Sequence, residues 1–308
     1  MTRYQNKIIL LTGATSGIGK VLLKQFASMG AHVLAVGRSE ERLNSVINEV
    51  KQQADNANVT AVVMDTSQLE SVRNAAAIIN ASIPKIDILI NNAGYTDMGN
   101  PAEYKTKEGL DLIYATNYFG PVLLTELLLP LLENTEKAQV LNIASTAIFK
   151  FYNPNKKLSI IDGNPNPKYA TLMRYAESKM ALLMYSLERA EGLRQKNIFM
   201  NGLILKDVVL EKGKTENWSM AVKLLNTIIA PLKLTREQAA TLYLDVLALQ
   251  DKAEFLGEAI SSSGKVARLP KYALDQEEQI KLLQCTGEII GVKALTEYQH
   301  EPSSVVAV

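Results

Sequence analysis

The segment Tyr175-Ala-Glu-Ser-Lys179 puts a phenol and an ammonium four residues apart. On a helix that spacing stacks both side chains on one face. A free tyrosine ionises near pH 10, too high for proton exchange at neutrality. A neighbouring ammonium favours the phenolate and is expected to bring Tyr175 towards the working range. Such a phenol can give a proton to an alkoxide, or take one from an alcohol. Ser145, in NIASTA, offers a hydroxyl that could hold the same substrate oxygen. Asn117, in ATNYFG, opens a long apolar run. Alone, each has an ordinary explanation: a surface helix pair, a strand-end turn, a helix start. Their weight lies in occurring together.

A second chemistry is anion binding. Gly13-Ala-Thr15-Ser16-Gly17-Ile18-Gly19 follows the strand-like run KIILLTG and opens a helical one. A helix N-terminus carries unpaired N–H groups and partial positive charge, and glycines let the backbone approach a pyrophosphate. The spacing is G-x-x-x-G-x-G, so the glycines could also simply turn the chain. Their place between the first strand and the first helix favours a dinucleotide. The second strand ends in Gly37-Arg38 rather than in an acid. A carboxylate there would bind a ribose 2′-hydroxyl; an arginine pairs with a 2′-phosphate. The expected cofactor is therefore NADP(H), although Arg38 could also just begin a solvated helix. Asp65 either lies near the adenine or caps the helix that follows.

These residues need a scaffold. Strand-like KIILLTG, AHVLAVG, NVTAVVMD, IDILINNAG, AQVLNIAST and IFMNGLIL alternate with helical segments. That alternation predicts an α/β fold: a Rossmann-type doubly wound parallel sheet with helices on both faces. No linker interrupts it, so residues 1–298 read as a single domain, with 299–308 a flexible tail. Ser39 is the expected N-cap of the second helix. The run from Pro121 to Leu132 has more apolar residues than one sheet face needs, which also suits a homodimer.

Taken together, the glycine turn, NNAG (Asn91–Gly94), Asn117, Ser145 and YAESK resemble the short-chain dehydrogenase/reductase family. The resemblance runs from about Lys7 to Asn201. It implies that Tyr175 is general acid in reduction and general base in oxidation. It further implies that Asn117 fixes a water relaying protons to Lys179, and that Asn92, Ala93 and Gly94 lie near the cofactor ribose. Phe151–Arg174, between Ser145 and Tyr175, is longer than usual and rich in Pro and Asn, an irregular excursion over the site. It looks like the retinol dehydrogenase, WW-domain oxidoreductase and protochlorophyllide reductase branch, which handles bulky apolar carbonyls. The expected substrate is thus a fairly apolar small carbonyl or alcohol.

After the sixth strand the chain departs from the family. Leu205 and Lys206 replace a Pro-Gly pair, and Leu210 replaces a threonine that contacts the nicotinamide. This motivates two alternatives: an NADP-binding sensor without redox turnover, or a redox-neutral cyclase or isomerase. Residues 205–235 should cover the substrate, with Trp218, Met220 and Leu224 lining a pocket or packing on the core. A net charge of +1 gives no reason to expect a nucleic-acid surface. Two distant histidines and the lone Cys285 argue against a metal site, and a single cysteine fits a reducing, cytoplasmic setting. No apolar run is long enough to span a bilayer, and none is expected to.

Overall fold

Six runs become six parallel strands; five are apolar and largely buried on both faces, while the third, at the sheet edge, stays exposed or half-buried along its length. In the computed structural model they are β1 (Ile8–Thr12), β2 (His32–Gly37), β3 (Asn58–Val63), β4 (Ile88–Asn91), β5 (Ala138–Ser145) and β6 (Ile198–Leu205). A three-residue β7 (Ala259–Ser261), unforeseen from sequence, completes the order β3-β2-β1-β4-β5-β6-β7. The structure describes residues 2–54, 57–96, 104–153, 157–162, 170–209, 220, 223, 227–228, 230–249, 252 and 255–300. The chain order reverses between β1 and β4, and crevices at such switch points hold ligands.

Side chains alternate across the sheet and feed two cores. Ile9, Leu11, Val33, Ala35, Ile90 and Ile143 face one. This side is covered by α1 (Gly17–Ser28), α2 (Glu40–Gln53) and a late helix, Arg236–Leu249. Leu10, Leu34, Leu89 and Val140 face the other, with α3 (Leu69–Ser82). Ser39 caps α2, its hydroxyl accepting from Arg42 N at 3.3 Å, as expected.

The long apolar stretch forms three short helices: α4 (Leu112–Tyr114), α5 (Gly120–Leu127) and α6 (Leu129–Glu133). A π-helical turn, Ala115–Phe119, joins the first two. After β5 comes α7 (Ala147–Lys150), and the excursion contributes α8 (Ser159–Asp162). Then comes α9 (Thr171–Arg194), which carries YAESK and begins four residues earlier than that segment. Counting on, Arg236–Leu249 is α10, Gln276–Ile290 is α11 and Lys293–Thr296 is α12.

The apolar surplus of Pro121–Leu132 is consumed within one chain. Val122, Leu123, Leu124, Leu128 and Leu132 are fully buried. Tyr118, just before α5, bonds to Thr286 of α11 at 2.7 Å between hydroxyl oxygens. Glu126 accepts both Arg189 nitrogens at 2.9 Å and the Tyr185 hydroxyl at 2.8 Å. The Arg189 guanidinium stacks 5.4 Å from the Tyr298 ring centroid, and His300 Nδ1 lies 2.8 Å from Glu188 Oε1. The chain is thus tied down through His300. Among the described residues no helix is long and apolar enough to cross a membrane, and no cluster of three or more His, Cys, Asp or Glu could hold a metal.

Candidate active site

At the C-terminal edge of the sheet, the glycine turn leaves β1 and enters α1. Gly13 has φ +69° and Gly17 +57°, backbone that glycine adopts without strain. Ser16 is the N-cap of α1 but makes no side-chain cap bond, and the first helical turn carries no acid. Among the described residues no atom outside its chain neighbours lies within 4 Å of where a Gly17 Cβ would be. A helix start without a side-chain cap, beside open space, is what an anion needs, so the turn fits a pyrophosphate. Thr15 packs its methyl against Gly37, and Ile18 packs on the core behind.

Gly19 is there for contact. A Cβ on it would sit 2.1 Å from the Gly13 carbonyl oxygen and 2.8 Å from Asn92 Nδ2. Gly19→Ala should therefore cost about 1–3 kcal/mol by overpacking and shift the turn. Thermal unfolding and NADPH titration check this; unchanged melting with unchanged affinity would refute it.

The floor is tied to β1 through Thr12, a residue the sequence did not single out as functional. Its hydroxyl accepts from the backbone N–H of Asn92 and Ala93, both at 2.9 Å, and its carbonyl accepts Asn92 Nδ2 at 2.8 Å. Asn92 Oδ1 in turn accepts the hydroxyl of the fully buried Tyr243, on α10, at 3.0 Å. Gly94 is exposed, so Asn92–Gly94 offer an accessible surface. Arg38 is exposed just past β2. Asp65 lies two residues past β3, and Met64 N bonds to Gly37 O at 2.9 Å, bringing it beside Arg38. Asp65 Oδ1 accepts the Ser67 amide at 2.9 Å and hydroxyl at 2.7 Å, a local turn ahead of α3, whose N-cap is Gln68 and not Asp65.

Ser145 ends β5, where its hydroxyl accepts Ala147 N at 3.2 Å and lies near enough to Tyr175 of α9 to act on the phenol. Lys179, one turn on and only 3% exposed, donates to the Ile143 carbonyl at 2.7 Å. Asn117 sits in the π turn. Its Oδ1 accepts Tyr95 N at 2.7 Å, while Nδ2 donates to Tyr95 O at 2.9 Å and to Ser178 Oγ at 3.1 Å. A Cβ on Gly94 would lie 3.4 Å from Asn117 Oδ1 and 3.6 Å from Lys179 Nζ, so floor, π turn and catalytic helix converge.

The electrostatics differ from the sequence expectation. Tyr175 is held above its ordinary value, not below it. Burial raises it, the nearby Ser145 hydroxyl lowers it, and the Asp207 carboxylate raises it again. Lys179 gives no resolved pull on the phenol, because its own ammonium is buried and turned to Ile143 O. Burial brings that ammonium down to about 8. The phenol is therefore protonated at neutral pH, the form that donates.

The excursion is fastened to α9. Ser159 Oγ donates to Glu177 Oε2 at 3.0 Å; Arg174 reaches the same carboxylate at 3.0 Å and also bonds to Ser159. Arg174 Nε lies 3.7 Å from Asp111 Oδ2, and the guanidinium sits 5.6 Å from the Tyr114 ring centroid. Trp218, Leu224 and Leu210 fall outside the described residues, while Met220 is 82% exposed and lines no core.

A sequence model described as short chain dehydrogenase matches residues 7–155. The human dehydrogenase/reductase SDR family member 13 is 33% identical over 199 residues, covering 64% of this chain and 50% of that protein. Human retinol dehydrogenase 13 is 26% identical over 292 residues, covering 94% and 86%. The chain spans between 49% and 58% of the length of the first curated relatives it matches. Among solved structures, L-sorbose reductase from Gluconobacter frateurii, complexed with NADPH and L-sorbose, superposes with a TM-score of 0.64 at 20% identity. That superposition covers 86% of this chain and 98% of that one. By its fold and by these matches the chain is similar to the short-chain dehydrogenases, with relatives of the retinol dehydrogenase kind.

Proposed function

We propose that this chain is an NADP(H)-dependent oxidoreductase for a carbonyl/alcohol pair on a fairly apolar small molecule, with Tyr175 as general acid and base. The carrying observation is the convergence at the sheet edge of Ser145, the last residue of β5, with Tyr175 and buried Lys179 of α9. A bound nicotinamide dinucleotide supplies or accepts the hydride. Gly13, Thr15, Ser16, Gly17, Ile18 and Gly19 would hold its pyrophosphate, Arg38 its 2′-phosphate, and Asn92, Ala93, Gly94, Tyr175 and Lys179 its ribose side. Tyr175 Oη gives its proton to the oxygen that becomes the alcohol, and takes it back in oxidation. Ser145 Oγ holds that oxygen and orients the phenol. Asn117 spends its side chain on Tyr95 and Ser178, so a relay water would be bound by backbone in the π turn, where the ordinary helical pattern is broken.

Apolar substrates are supported by the rim. Phe149 is 49% exposed, and Phe151 and Val209 are 40% exposed each, flanking residues that meet across the site. The test is NADPH consumption with a panel of apolar aldehydes and ketones, retinal among them. Tight NADPH binding with no turnover across the panel would make the chain a nucleotide-binding module instead.

Cofactor choice is tested at Arg38. A charge-assisted bond to phosphate is worth about 1.5–3 kcal/mol. Arg38→Ala should therefore weaken NADPH binding about 10- to 100-fold and leave NADH binding unchanged. Equal losses for both nucleotides would remove Arg38 from the 2′-phosphate site.

A further inference from the structure

β5 and β6 are neighbours, and their last residues, Ser145 and Leu205, are in register. Past that point the chains separate, one into α7, the other along the rim. The backbone of 205–209 is stitched at its edges. Leu205 O accepts Thr146 N at 3.0 Å, and Lys206 N donates to Ser262 Oγ at 2.9 Å. Leu234 N donates to Asp207 O at 3.0 Å, and Val209 N to Leu234 O at 2.9 Å. One ion pair crosses back. Lys150 Nζ, at the end of α7, lies 2.9 Å from Asp207 Oδ2.

We propose that Lys150 and Asp207 form an ionic clasp that holds the segment after β6 against the Ser145 side of the site, with Asp207 as a positioning residue for the reaction. Its kinetic part rests on the oxidoreductase reading; the clasp itself does not. Both side chains are about half exposed, and such pairs contribute little to global stability. Here the pair matters through where it stands. Among the described residues, Asp207 is the carboxylate that acts on Tyr175. The other polar groups near that phenol are Ser145 from β5 and Tyr243 from α10, while Lys179 of its own helix is turned to Ile143 O. Lys150 reaches it only through Asp207, by neutralising the carboxylate.

Hydrogen exchange at the amides of Val209 and Leu234 tests the clasp without any turnover. Asp207→Asn and Lys150→Met should each raise exchange at both amides roughly two- to five-fold. The exchanged pair, Lys150→Asp with Asp207→Lys, should restore slow exchange. Unchanged exchange in both single variants overturns the clasp. Where NADPH turnover is measured, the pH profile separates position from charge. Asp207→Asn removes a negative charge and should move the Tyr175 limb to lower pH. Lys150→Met unmasks that charge and should move it to higher pH. Movement in the same direction overturns the role given to Asp207. A protein that shows no turnover but passes the exchange test keeps the clasp and loses only the enzymatic reading.

Discussion

Tyr175→Phe should lower kcat/KM for carbonyl reduction about 10²- to 10⁴-fold, the range for a lost general acid. The change removes one hydroxyl from a side chain whose ring packs on the core beside α9. Folding should be untouched, and NADPH should bind within about three-fold of wild type, since the glycine turn and Arg38 stay as they are. Ser145 remains, so residual turnover would report oxygen binding without proton donation. The elevated Tyr175 ionisation adds a pH signature. In the wild type, reduction should hold up through neutral pH and fall only at alkaline pH, as the phenol loses its proton. A variant keeping more than a tenth of wild-type activity, or a wild type that fails already near pH 6, would show that the acid lies elsewhere.

Lys179→Met should cost activity and increase stability together. Lys179 is buried, and its ammonium falls from the usual 10.5 to about 8 through desolvation. Between those values the unfolded chain binds more protons than the folded one, so stability rises with pH across that window. Below about 8 the charged form is held inside at a cost. Removing the charge lifts that cost, offset in part by the lost bond to Ile143 O. A gain on the order of 1–3 kcal/mol at pH 7 is expected. The gap should narrow as pH climbs from 8 towards 10.5. Turnover should drop at least about 100-fold, because the ammonium proposed to hold the cofactor ribose is gone. Paired thermal melts at pH 7 and pH 10 decide this. A Met variant less stable at pH 7 would mean that the buried ammonium is not a burden.

Much of the scaffold could be read directly. Parallel strands covered on both faces are written as apolar runs, and Ser39 announces α2 by hydroxyl chemistry alone. The grouping of Ser145, Tyr175 and Lys179 was legible because it depends on residue type and on helical spacing. Other features depend on partners far away in the chain. Tyr243 meets Asn92 across 151 positions, and no local pattern marks either for that bond. Asp207 acts on Tyr175 through a turn whose course the sequence does not state. The π turn at Asn117 arises where one residue must serve Tyr95 and Ser178 at once. The sign of the Tyr175 shift was missed for the same reason. Spacing says that Lys179 is near, but only packing says that its ammonium points at Ile143.

The strip of chain from Tyr272 to His300 embraces α9 from outside while the sheet backs it from within. A helix so clamped behaves as the anvil of a vice. Residues 206–209, just past β6, are held by a few backbone contacts and one ion pair. Adaptation to ligands of different girth is then expected on that softer side, and directed evolution of selectivity belongs at residues 206–209 rather than around the proton donor.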